Sequence, residues 1–486
     1  MKFFFVALAV LASPTPVQEV PVGKLQVGWA SRDITPDRPV ALAGQFHKRI
    51  STGVAARLSV TALAIETRSA DGPIDQAILV SCDLVAIRDG IQARLRKLLE
   101  GKLEGFDLRK LLLSATHTHT APVTDDKWYD VTEEGVMKPA EYVDFFLGRA
   151  AEAVVDAWKG RKPGGVTWGL GYAVVGLNRR MTYADGKAAM YGRNDRPDFR
   201  GIEGYEDHAV ESLFFFDGER RLTGVAINVA CPSQVVENAN TISSDFWDDV
   251  RVLLRERTTP DLHVLAWCGA AGDQSPHPQL RKAADARMRK LDGNVSETRA
   301  IARRMADAVV ATYRAVKNEV LSDVPFAHRV EDLNLPGRKV TEAEVNAARA
   351  ILAPIEKKPA EKRDSTDISR LRWHGEVLQR YEKPEDFAVY PMELHVIRLG
   401  DVSIASNAFE LFLDYGIQIR ARSRSLQTFL IQLACGCGGY LPTERAVAGG
   451  GYSAIPESGL VGPEGGRILV DKTVDLMNGL WPGKPK

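Results

Sequence analysis

The chain has 486 residues, with 63 Lys plus Arg against 63 Asp plus Glu and 45% hydrophobic residues. These are the proportions of a soluble globular protein, long enough for one large α/β domain or for two or three smaller ones. Balanced charge leaves no global field to favour nucleic acid or an anionic membrane as partner, and the sequence shows no basic tract, internal repeat or low-complexity stretch.

The N-terminus reads Met1-Lys2, then an apolar run Phe3–Ala12, then Ser13-Pro14-Thr15-Pro16. One positive charge, a short apolar core and a small/Pro boundary form a secretory signal pattern, too short to span a bilayer. Residues 1–17 are therefore expected to be a signal peptide and residues 18–486 the catalytic chain, secreted or periplasmic. A buried strand is the competing reading of the same run. No later segment is long and apolar enough for a transmembrane helix.

Strand-like and amphipathic helical stretches alternate after that. Strands are predicted at Val60–Glu66, Ala77–Cys82, Leu111–Ser114, Val166–Val175, Leu213–Phe216, Gly224–Ala230, His263–Trp267, Met392–Leu399, Val402–Asn407 and Thr428–Leu433. Helices are predicted at Ile91–Leu99, Pro139–Trp158, Trp247–Arg255, Glu297–Val316, Glu342–Ile351 and Ile368–Tyr381. The ordering predicts an α/β fold, a large single catalytic domain with mixed central sheet(s) flanked by helices. Pro354–Ser365, rich in Lys, Glu and Pro, reads as a solvated connection. The five cysteines, Cys82, Cys231, Cys268, Cys435 and Cys437, are an odd and sparse set in a chain this long and not a disulfide framework, so at least one thiol is expected to be free.

Polar residues follow five of the apolar strands: His117, Cys231, Ser275, Glu410 and Tyr440. Strand ends feeding loops are where α/β proteins place their chemistry. In Thr116-His117-Thr118-His119, residues two apart on an extended backbone point the same way, so both imidazoles can face one metal or catalytic site; a pair of structural histidines is the alternative. The loop Cys268-Gly269-Ala270-Ala271-Gly272-Asp273-Gln274-Ser275-Pro276 admits close approach of a substrate, or is a Gly-rich turn capped by Asp273. Ser275 as a nucleophile needs a base or a metal beside it. Glu410 can ligate a metal or cap the next helix. Glycine-rich loops carry Tyr440 and Tyr452, and Asn178-Arg179-Arg180 puts positive charge after a strand.

Taken together and in this order, the segments resemble the neutral/alkaline non-lysosomal ceramidases from about Gly28 to about Ser453. The signposts are Asp33-Ile34-Thr35-Pro36, Ser81-Cys82-Asp83, Thr116-His117-Thr118-His119, Asn178-Arg179, Gly272-Asp273-Gln274-Ser275-Pro276 and the Glu410 and Tyr440 segments. The resemblance implies a zinc-dependent hydrolase of the amide bond of an N-acyl lipid or related acylated amine. It implies Zn2+ held by His117, Glu410 and Tyr440, Ser275 as catalytic residue, and His119, Arg179 and Tyr452 on substrate or oxyanion. Two departures stand out. The family's second His ligand, which precedes a Pro, is replaced by Cys231 before Pro232, and thiolate is itself a good zinc ligand. The family also carries a C-terminal β-sandwich-like domain, whereas this sequence ends soon after the catalytic segment. Another amide or ester substrate, or a binding protein on a degenerate scaffold, are the alternative functions.

Overall fold

The computed structural model describes residues 19–481; the Phe3–Ala12 run and the predicted signal boundary lie outside the described residues. Twelve strands make one hydrogen-bonded sheet, and they fall into three arms of identical internal order. The first arm is β1 (Val22–Asp33), β2 (Ser59–Ser69), β3 (Gly72–Cys82) and β4 (Leu111–Ala115). The second is β5 (Lys162–Tyr172), β6 (Ala209–Asp217), β7 (Leu222–Val229) and β8 (His263–Cys268). The third is β9 (Asp323–Pro336), β10 (Val389–Leu399), β11 (Val402–Ser406) and β12 (Gln427–Ile431). In every arm the first three strands pair antiparallel and the fourth pairs parallel to the third. A parallel pair needs a crossover, and each arm supplies a helix there: Ile91–Leu99, Phe246–Arg257 and Leu413–Arg422. A second helix, Pro139–Lys159, Glu297–Val316 or Pro463–Asn478, follows the fourth strand and packs beside the first. The sequence shows no repeat because equivalent strand ends carry unlike residues, such as Cys82-Asp83, Val229-Ala230 and Ser406-Asn407.

Both faces of each arm are buried, as the period-two pattern of its strands requires. Along β2, Val60, Ala62 and Ala64 join the cluster under the first arm's helices, while Leu63 and Ile65 face a cluster common to all three arms. Along β7, Val225, Ile227 and Val229 face that arm's helices and Ala226 the common core, which also holds Trp267, Phe326 and Phe429. The mixed α/β architecture is as predicted. Strands β1 and β9 and the helices Leu413–Arg422 and Pro463–Asn478 were not predicted. The helix predicted to end at Ile351 runs as Glu342–Glu356 through Pro354. A Thr341/Glu344 capping box starts it, and buried Leu352 and Ile355 hold its last turn against the missing N–H.

Register places the third and fourth strand ends of each arm on one rim, since Cys82 faces Ala115, Val229 faces Cys268 and Ser406 faces Ile431. The rims meet pairwise. Ala115 N donates to Leu433 O at 3.3 Å, Gln432 N to Cys268 O at 3.0 Å, and Ser233 Oγ to Thr116 O at 2.8 Å. The predicted site residues sit at this junction.

Candidate active site

Two short ladders fix the loops. Glu410 and Tyr440 lie opposite each other in a parallel pair, with Glu410 N donating to Gly439 O at 2.9 Å. Ser275 and Leu177 pair antiparallel, which brings the Ser275 loop beside Asn178 and Arg179. Asp273 ties the two ladders together. Its carboxylate accepts from Asn178 Nδ2 at 2.8 Å and from Leu413 N at 3.0 Å, and its carbonyl accepts from Arg179 N at 2.9 Å. The Asn178-Arg179 and Asp273-Gln274-Ser275 signposts are thus one structure.

His117 takes a left-handed backbone (φ 63°), strained for a residue with a Cβ. The kink breaks the strand alternation that would send its ring toward the outer helices with Leu113 and Ala115. His117 Nδ1 lies 2.6 Å from Val85 O. A carbonyl only accepts, so Nδ1 carries the proton and Nε2 offers a bare lone pair in the neutral ring. That Nε2 lies 3.2 Å from Glu410 Oε2 and 3.4 Å from His119 Nε2. The Tyr440 phenol lies beside Glu410 on the neighbouring strand. Burial pushes the Glu410 carboxyl upward, but a cation at this place, which without a metal is the protonated form of His117, together with Arg179 and Tyr440 outweighs it and holds the group at about 2. The Tyr440 phenol is pushed well above the usual phenol range by burial and by Glu410, and Tyr452 is pushed up to about 12 for the same reasons in the same order.

His119 reaches the same place from a looser position. Its Nδ1 lies 3.3 Å from Glu237 Oε2, and His277 Nε2 lies 3.3 Å from Glu237 Oε1. Gly44 makes room for it: any Cβ there would sit 2.5–2.7 Å from the His119 side chain. Buried Arg49 donates to His119 O at 2.7 Å and to Ala43 O at 2.5 Å, pinning that loop. His117, His119, Glu410, Tyr440 and Tyr452 line a cavity of about 190 Å³. Its other wall is aromatic: Phe46, Trp373 and Tyr452 pack on one another in tilted and edge-to-face pairs with centroids 4.9–6.0 Å apart.

Arg179 and Ser275 lie behind this wall. The Arg179 guanidinium donates to Tyr440 OH at 3.3 Å, Tyr191 OH at 3.2 Å, Gln234 Oε1 at 3.4 Å and Gly272 O at 3.0 Å. Ser275 Oγ accepts from Tyr191 OH at 3.0 Å, His277 N at 3.1 Å and Gln234 Nε2 at 3.5 Å, and is fully buried. Tyr191, Gln234, Glu237 and Arg49 were not found in the sequence. Gln234, three residues past Cys231 on a strand-end loop, carried the same signal as the residues that were found; the others sit in loops without one.

The structure does not bring Cys231 to the other predicted ligands. Its sulfur lies 3.5 Å from Val175 O and 3.4 Å from Pro232 O, in the apolar cluster with Phe246 and Trp247. Cys231 keeps the alternation of Val225, Ile227 and Val229, so it faces the outer helices. The expected thiolate ligand is thereby replaced by a core contact. Among the described residues, the one group of three His, Cys, Asp or Glu side chains with donor atoms mutually within 4.8 Å is Glu393, His395 and Cys435, outside this cavity. His117, Glu410 and Tyr440 remain together, and a bare imidazole nitrogen facing a carboxylate, with a phenol alongside, is a donor set that fits a zinc ion.

Three arms joined at a common core, with the candidate site loops gathered on one rim, make a mixed α/β fold that is shared with neutral ceramidases. The chain superposes on a neutral ceramidase from Pseudomonas aeruginosa with TM-score 0.68 and 17% identity, covering 96% of this chain and 76% of that one. A ceramidase complexed with C2 gives TM-score 0.67 and 16% identity, covering 94% and 75%. No protein-family model and no curated protein sequence matches the chain.

Proposed function

We propose that the chain is an exported hydrolase of the amide bond of an N-acyl lipid or related acylated amine, using a zinc ion held by His117, Glu410 and Tyr440. The observation that carries this reading is the bare His117 Nε2 aimed at Glu410 Oε2 at 3.2 Å on the wall of a cavity. Three protein ligands with an open position are the pattern of catalytic rather than structural zinc, so the turn of Cys231 into the core is consistent with a reactive site. Zinc bound there supplies Lewis-acid polarisation of the substrate carbonyl. The protein supplies the rest. Arg179 holds the Tyr440 oxygen in place, His119 with Glu237 behind it is placed to hold a proton near the leaving amine, and Tyr452 offers a hydroxyl to the oxyanion. The aromatic wall of Phe46 and Trp373 suits an apolar acyl group.

In the reading that the resemblance implies, Ser275 attacks the carbonyl. A second reading has water attack while Ser275 holds Tyr191, and the burial of Ser275 behind Tyr191 favours it. Two measurements test the proposal. Purified protein should contain zinc that is lost in His117→Ala, and it should release free amine from N-acyl substrates; metal-free protein inert to the whole panel would leave only the binding-protein alternative. Ser275→Ala then separates the two readings. A loss of several orders of magnitude in kcat with metal retained marks a nucleophile, and a loss of about tenfold marks a positioning group.

A further inference from the structure

We propose that Glu393, His395 and Cys435 form a second metal site, for zinc or a similar thiolate-binding transition ion, which clips the loop carrying Tyr440 to β10 of the third arm. The inference goes beyond the catalytic site and does not depend on it. Glu393 and His395 are two apart on β10 and so share a face. Cys435 reaches them from the loop after β12, on a left-handed backbone (φ 61°) that is strained for cysteine. One donor atom from each lies within 4.8 Å of the other two.

The hydrogen-bond chain around His395 leaves a position for a cation. Gln76 O, an acceptor only, lies 3.2 Å from His328 Nδ1, which therefore carries that ring's proton. His328 Nε2 is then bare and accepts from His395 Nδ1 at 2.9 Å. This leaves His395 Nε2 bare as well, and it points at Glu393 Oε1 only 2.7 Å away. Glu393 is an acceptor too, because Arg96 holds its carboxylate ionised with hydrogen bonds of 2.6 and 2.8 Å. Two acceptors at that distance need a positive charge between them. A single added proton satisfies the pair but makes no use of Cys435 Sγ, which lies 3.5 Å from the same His395 nitrogen. A metal ion uses all three donors. The mixed nitrogen, sulfur and carboxylate set is one that zinc takes, and the His328 hydrogen bond is the kind of backing that orients ligating imidazoles. Binding replaces the Cys435 S–H bond with a sulfur–metal bond and releases the proton to solvent.

The location gives the ion a task. Cys435 N donates to Leu113 O at 2.9 Å, on the strand that leads into His117, and Tyr440 lies five residues further on. Metal at Cys435 would tie this loop to β10, and the Arg96–Glu393 pair and the Leu113 bond then seat both against the first arm.

The test is titration of metal-stripped, full-length protein with Co2+. A thiolate-to-cobalt charge-transfer band is expected, abolished in Cys435→Ser and retained in His117→Ala. Loss of the catalytic ion would show instead as a missing equivalent in His117→Ala without change in that band, so failures of the two sites are distinguishable. No thiolate band on folded wild-type protein, or one that survives Cys435→Ser, would overturn the proposal. Should Cys435→Ser fail to fold, wild-type protein decides the matter: Zn2+ should slow alkylation of Cys435, mapped by peptide mass, at least tenfold, and equal labelling with and without the ion would overturn the site.

Discussion

The first and second arms bring buried strands to the same rim, the fourth strand of one and the third of the other, and these then part. In the first, β4 ends at Ala115, and His117, two residues on, leaves the alternation through a left-handed kink that turns its ring onto Glu410. In the second, β7 ends at Val229, and Cys231, again two residues on, takes no such kink and stays with Val225 and Ile227 in the apolar cluster. A position at a strand end is therefore not enough to make a ligand. The backbone conformation of one residue decides whether the side chain serves the cavity or the core, and the strain at His117 shows that the first arm holds its choice against a cost of about 1 kcal/mol.

The largest effect expected from breaking this contrast is at His117. His117→Ala should lower kcat/KM by about a thousandfold or more and reduce bound metal. His117→Gly should lose as much activity yet be more stable than His117→Ala by about 1 kcal/mol, because glycine accepts a positive φ; equal melting points for the two variants would show that the kink stores no strain. Next comes Asp273, which holds the Arg179, Ser275 and Glu410 loops in register. Asp273→Ala strands two buried donors and should cost about 2–4 kcal/mol in denaturant unfolding, with activity falling beyond what the unfolded fraction explains.

A third test lies where the second arm meets the third. Glu211 on β6 is fully buried and its carboxyl is pushed up to about 7, by burial first, with Arg420 3.2 Å away only partly countering. A carboxyl raised from 4.5 in the folded state binds its proton more tightly than in the unfolded chain. Stability from this group is thus full below pH 4.5 and is lost as pH rises through 7. Glu211→Gln should flatten that slope, removing about 1–3 kcal/mol of pH dependence between the two limits; an unchanged profile would place the dependence elsewhere. The smallest effect is at Cys231. Cys231→Ala should keep its full metal content and lose about 1 kcal/mol of stability, as for a small buried apolar side chain. Loss of metal in this variant would mean that the sulfur does reach the site.

Strands with unbroken apolar runs were legible in the sequence, and so were the polar residues that follow them. Strand β1 was not, because Gly23 and Gly28 interrupt it. Gly28 marks no turn: a Cβ there would sit 2.0 Å from Ala157 O of the overlying helix. A close approach of this kind leaves the same trace in a sequence as a loop. The residues around Ser275 were half legible. Gln274 and Ser275 follow an apolar strand at a glycine-rich turn, whereas Tyr191 lies in the long connection between β5 and β6, where no period constrains it. The collinear signposts found Arg179, but its partners Tyr191 and Gln234 come from separate segments that only the folded second arm brings together.

The arms also bear on how the chain acquires its structure. Each is built from one uninterrupted stretch, Val22–Lys159, Lys162–Val316 and Asp323–Asn478, and most of its strand pairing closes within that stretch. Pairing between arms is limited to short ladders on β1, such as Gln26 with Pro163 and Val22 with Pro325, and isolated bridges such as Val54 with Ile242 and Ser114 with Ala434. Low sequence separation within each arm lowers the loop-closure entropy of its nucleus. A chain emerging from the ribosome can therefore complete one arm before the next is made. The common core draws on all three arms, so the rim that gathers His117, Ser275 and Tyr440 is complete only once the third arm has docked.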